Sequence, residues 1–136
     1  MSNLSRGRRV ASLALAALVG LSLAGCIADG DLAAVSGAQK KSDRLADADI
    51  ERLNGTVDAS STRLQWKYED YSVFVGYGTD GRNKYCMVLV RAGATTSCSP
   101  SLPLVATLKD GTEIALAMSA PSPDWTKVAE NVWTRD

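Results

Sequence analysis

Cysteines at positions 26, 86 and 98 and a complete lack of histidine bound the side-chain chemistry open to this 136-residue chain. Without an imidazole, neither a Ser-His-Asp or Cys-His nucleophile system nor a His-ligated zinc site can be assembled. A carboxylate pair or a Ser-Lys arrangement stays formally open. The carboxylate candidates are Glu69 with Asp70 and Asp110 with Glu113, but both pairs fall at predicted turns, where acidic residues serve the local backbone. Asp29-Gly30-Asp31 is too short for a calcium loop, which spreads its oxygen ligands over about 12 residues. The residue types therefore predict no metal, no cofactor and no enzymatic activity.

Cys26 ends the stretch Leu23-Ala24-Gly25-Cys26, where an apolar run gives way to polar sequence. Upstream lie Arg6, Arg8 and Arg9, then residues 10–23 without a charge, then small residues. That is the three-part pattern of a secretory signal, whose arginines stay on the cytoplasmic side. A retained transmembrane helix would need about 20 apolar residues, and this run stops short. A twin-arginine signal is the weaker alternative, because Arg8-Arg9 lacks the flanking residues usual for one. The stretch resembles the lipobox of bacterial lipoproteins. The resemblance implies that residues 1–25 are a signal peptide, that Cys26 carries diacylglycerol through a thioether and becomes the first mature residue, and that the protein is lipid-anchored on the extracytoplasmic face of the cell membrane.

Removing 25 residues from 136 leaves 111, enough for one small domain. The loss of three arginines turns a balance of 15 bases and 15 acids into 12 against 15, a charge of −3. No basic footprint for nucleic acid appears. Residues 26–42, small and polar with Lys40-Lys41, read as the lipidated Cys and a flexible tether, and 43–136 as a single β-rich domain. Ser42 is the expected cap of a helix over 43–54, with Ala46, Ile50 and Leu53 as its apolar stripe and Gly55 ending it.

From Arg63 onward the hydrophobic period is two. Leu64, Trp66 and Tyr68 alternate with polar residues, as do Tyr71, Val73, Val75 and Tyr77, and a third strand over 83–91 is apolar on both faces, which predicts a central position. Residues 95–99 can return as a short strand. Lys109-Asp110-Gly111-Thr112 between two apolar runs predicts a hairpin; with a two-residue turn, Val105 faces Leu116 and Thr107 faces Ile114. A last strand is expected near 131–134. The predicted fold is mainly β: a small antiparallel sheet of six or seven short strands, folded as a sandwich or half-barrel, with one N-terminal helix.

Cys86 and Cys98 lie symmetrically about Ala92, so a hairpin turning at Ala92-Gly93 sets them opposite one another. In an exported protein this predicts a disulfide. Trp66, Tyr68, Tyr71, Tyr77 and Tyr85 form a candidate binding patch for sugar rings or a partner peptide if exposed together, and a sheet core if not. Arg63, Lys67, Arg82, Lys84 and Arg91 give the strand region an excess of base.

Ser61-Thr62-Arg63-Leu64, Tyr85-Cys86-Met87-Val88, Ser97-Cys98 and Asn131-Val132-Trp133 make the mature part similar to small, uncharacterised lipoproteins of high-GC Gram-positive bacteria. Met87 departs from the Leu often found there. The resemblance implies compartment and fold type and brings no activity with it. The function expected is that of a non-enzymatic binding or interaction module in the envelope, with an envelope protein or glycan as partner. The alternative is an envelope enzyme or enzyme inhibitor.

Overall fold

A computed structural model describes residues 30–136. The expected signal segment, with Leu23, Ala24, Gly25 and Cys26, lies outside the described residues. The chain forms two four-stranded antiparallel sheets, packed as a small sandwich, with one short helix. The first sheet contains β1 (Arg63–Tyr68), β2 (Tyr71–Tyr77), β3 (Tyr85–Val90) and β4 (Ala94–Ser99) in that order. The second contains β5 (Leu104–Thr107), β6 (Glu113–Leu116), β7 (Thr126–Ala129) and β8 (Val132–Arg135), in the order β5-β6-β8-β7. The described residues thus hold eight strands, because the tail folds back on itself as β7 and β8 instead of adding one strand.

Alternation along β2 and β3 builds two apolar layers at once. Val73, Val75, Tyr85 and Met87 point to the second sheet, where they meet Leu108, Ile114, Leu116 and Val132. Phe74, Cys86 and Val88 point the other way, under Leu45, Leu53 and Val57. The third strand is buried on both faces at its centre, as its unbroken apolar run predicts. Burying each of these Val, Leu or Ile side chains contributes about 1.5 to 3 kcal/mol.

The helix α1 (Asp47–Leu53) is shorter than expected and starts later. Ser42 does not cap it. Residues 41–43 instead form a 3-10 turn, and the Asp43 carboxylate accepts the backbone N–H of Lys40 at 2.8 Å and that of Leu64 at 3.1 Å. That second bond ties the turn to β1. Leu45 and Leu53 are the docked apolar residues, whereas Ile50 is 38% exposed and Ala46 is exposed. The helix docks on the sheet through Asp49, whose Oδ1 accepts the N–H of Ala94 at 3.0 Å. It ends at Asn54, in the left-handed region at φ 48°, just before Gly55.

Residues 30–42 are not a free tether. Leu32 is 1% exposed and lies between the sheets, and its N–H donates to the Tyr77 hydroxyl at 2.9 Å. Ala34 N–H donates to Asn131 Oδ1 at 2.9 Å, and the Gln39 amide donates to the Ala59 carbonyl at 2.8 Å. Arg63, itself buried, clamps the strap by donating to the Gly37 carbonyl at 2.6 Å and to Thr62 at 2.9 Å. A polar stretch can hide such docking because its bonds run through backbone groups and only one side chain, Leu32, needs to be large and apolar.

Two further positions depart from simple alternation. A bulge between Leu64 and Trp66 puts Leu64 with Phe74 on the helix side and Trp66 with Val73 on the sandwich side. In the β5–β6 hairpin, Leu104 pairs Leu116, Val105 pairs Ala115 and Ala106 pairs Ile114, one residue off the two-residue-turn register. The loop has three residues, 109–111: Leu108 N–H donates to the Thr112 carbonyl at 2.8 Å, and Gly111 takes φ 93°. A glycine at that left-handed third position is what a three-residue hairpin loop requires.

Candidate functional site

The two ends of the sandwich differ in what they carry. At one end, Gly30 is held by the Tyr85 hydroxyl and by Lys84 Nζ, 3.3 Å from its carbonyl, next to the β2–β3 connection. At the other end the β1–β2, β3–β4 and β5–β6 turns converge.

Cys86 and Cys98 are direct cross-strand partners in the β3–β4 pair, joined as a disulfide with an S–S distance of 2.03 Å and Cα atoms 4.1 Å apart. The bond lies on the helix side, under Leu45 and Leu53, with Cys86 wholly buried. Its place is within the core.

The five aromatic residues do not form one surface. Trp66 and Tyr68 stack, ring centroids 4.9 Å apart, half-buried against the inter-sheet core. Tyr77 and Tyr85 pin the strap through their hydroxyls, with Lys84 Nζ 5.9 Å and 5.3 Å from their ring centres. Tyr71 lines a cleft.

That cleft, of about 360 Å³, opens where the three turns converge and is lined by Arg52, Tyr71, Leu89, Arg91, Gly93 and Lys109 among others. Arg52 comes from the last turn of α1, Arg91 and Gly93 from the β3–β4 turn, and Lys109 from the β5–β6 loop. Arg91 is paired with Asp70, whose hydrogen bond raises the guanidinium pKa, and its Cζ lies 5.2 Å from the Tyr71 ring centre. Arg52 and Lys109 have no carboxylate in ion-pair range among the described residues. Gly93 makes room for Arg52: a Cβ there would lie 2.7 Å from the guanidinium Cζ, and the backbone stands at φ 151°. The arrangement offers two unneutralised cations and a third partly neutralised one above an apolar floor of Tyr71 and Leu89. It can hold an anion.

Of these residues the sequence singled out Arg91 and Tyr71. Arg52 reads as a solvated helix residue and Lys109 as a turn residue, and nothing local links them, because their meeting depends on how three turns and a helix converge. The remaining bases scatter. Arg63 is buried under the strap, Lys84 pairs with Asp31 at 3.1 Å, and Lys67 is exposed on β1.

Three of the four candidate carboxylates are engaged locally, while Glu69 stands exposed in the β1–β2 turn at φ 50°. Asp70 holds Arg91, Glu113 holds Arg135, and Asp110 accepts the Thr112 N–H at 2.9 Å and the Tyr68 hydroxyl at 3.0 Å. Among the described residues no three His, Cys, Asp or Glu side chains gather as a metal-binding group, and no helix is long and apolar enough to cross a membrane. No family model, curated protein or solved structure matches the chain.

Proposed function

We propose that the chain is a lipoprotein of the cell envelope, held on the extracytoplasmic face of the membrane by lipid on Cys26, and that its sandwich is a non-enzymatic binding module for an envelope protein or glycan. The anchor rests on Leu23-Ala24-Gly25-Cys26 after a charge-free core. Export agrees with the Cys86–Cys98 disulfide, a bond of oxidising compartments. The observation that carries the binding reading is the pair of cations, Arg52 and Lys109, lining one cleft without carboxylate partners among the described residues. Two exposed cations lining one concave site raise the local concentration of anions there. Local engagement of Asp70, Asp110 and Glu113 favours binding over acid-base catalysis.

Two measurements test the reading. Cys26→Ala should move the protein from the membrane fraction to the soluble one and remove the lipid mass from the parent chain. The released chain should be retained on envelope material in a salt-sensitive way, and the double variant Arg52→Glu, Lys109→Glu should not be. Unchanged fractionation of Cys26→Ala would sink the anchor, and unchanged retention of the double variant would sink the binding module.

A further inference from the structure

We infer that the cleft of Arg52, Arg91 and Lys109 is a phosphoryl-binding site that faces away from the anchoring membrane. The inference rests on the anchored binding-module reading and adds to it a ligand class and a direction of approach. The ligand class follows from charge and shape. Among the described residues two of these cations have no carboxylate partner, and a carboxylate ligand would neutralise only one of them. A phosphate monoester or pyrophosphate group carries close to two negative charges at neutral pH and several acceptor oxygens, which suits the planar fork of Arg52 and the ammonium of Lys109. The volume of about 360 Å³ leaves space for what the phosphoryl group is attached to, against Tyr71 and Leu89.

Direction follows from length. Gly30, the first described residue, lies four residue steps from Cys26, and four steps reach at most about 14 Å. Gly30 is fixed beside Lys84 and Tyr85, where β3 starts, and the cleft lies past Val90, where β3 ends. The six residues of β3 span roughly 17 Å at about 3.3 Å per residue. The linker is thus too short to invert the domain and bring the cleft onto its own bilayer. The end beside the anchor instead carries Met118, 47% exposed, with Leu102 and Pro103 around a second groove that no charged residue lines. Headgroups of the host membrane are therefore the wrong source of phosphoryl groups for this cleft. A phosphorylated solute or polymer on the far side is the right one.

The test reads Lys109 acylation by a membrane-impermeant amine reagent, followed by mass spectrometry, in the mature lipidated chain reconstituted into phosphatidylcholine vesicles. Pyrophosphate should slow acylation of Lys109 at least fivefold relative to sodium chloride of equal ionic strength, while Lys127, on the outer face of the second sheet, reacts at an unchanged rate. Replacing part of the lipid with phosphatidylglycerol should not protect Lys109. Arg52→Gln should weaken pyrophosphate about tenfold, the loss of one charge-assisted contact. Gly93→Ala, which keeps every charge but fills the guanidinium's place, should act in the same direction. Equal protection by chloride, or undiminished protection in Arg52→Gln, overturns the phosphoryl site. Protection by phosphatidylglycerol overturns the direction. If pyrophosphate fails while the parent chain is still retained on envelope material through Arg52 and Lys109, the ligand class is wrong and the binding module stands.

Discussion

Single residues in this chain are placed by hydrogen bonds more than by ion pairs, and Asp110 shows it. The Thr112 backbone N–H, and after it the Tyr68 hydroxyl, hold its carboxyl below the ordinary carboxylate range. The folded state therefore prefers the ionised form. That contribution is complete above the unfolded carboxylate pKa and fades as pH falls through the depressed folded value. Thermal melts of the parent should lose stability with acid in that window, and Asp110→Asn should show a smaller loss there; identical pH profiles would refute the assignment. At Cys86 the expected effect is larger. The disulfide closes a loop of residues with a sequence separation of 12, worth about 3 kcal/mol in the chain-entropy picture, and its removal also leaves buried volume unfilled. Cys86→Ala with Cys98→Ala should lower the denaturation free energy by about 3 kcal/mol, as urea titration would measure. A loss under 1 kcal/mol would mean that the hairpin holds without its bridge.

At the level of elements, the legible parts of the fold are those where pattern and burial share a period. Tyr71 to Tyr77 reads as a strand residue by residue, and the two-faced apolar run of β3 reveals its central place. Where one backbone event resets the period, sequence pattern misleads. The bulge beside Gln65 is such a case, since it reverses Leu64 while Trp66 and Tyr68 keep to the sandwich side. Gly111 is another, because Asp-Gly suits both two- and three-residue loops and the difference shifts every pair in the hairpin by one. Trp66→Ala tests the resulting placement. A half-buried Trp stacked on Tyr68 and packed on the inter-sheet core should cost about 2 to 3 kcal/mol on truncation, less than a fully buried one. A change within 0.5 kcal/mol would return Trp66 to the surface. The cleft was the least legible feature, because Arg52 and Lys109 lie 57 positions apart and acquire a shared role only when helix and turn meet.

For the molecule as a whole, the decisive fact is that residues 30–42 belong to the folded unit. Leu32 fills the same layer as Val73, Met87 and Ile114, and the buried Arg63 guanidinium takes its acceptors from the strap and from Thr62 and Ser60 without a carboxylate partner. Removing the strap would therefore open the inter-sheet core and strand a buried charge, two of the more destabilising changes available to a small domain. Leu32→Ala should lower stability by about 2 to 4 kcal/mol, where a residue in a solvated linker would change it by less than about 0.5. A soluble chain starting at residue 27 should unfold in one cooperative transition, and one starting at Ser42 should unfold at clearly lower denaturant or not fold at all. Equal midpoints for the two would restore the long flexible tether, lengthen the reach from the proposed anchor at Cys26 by 12 residues, and with it remove the ground for the inferred orientation of the cleft.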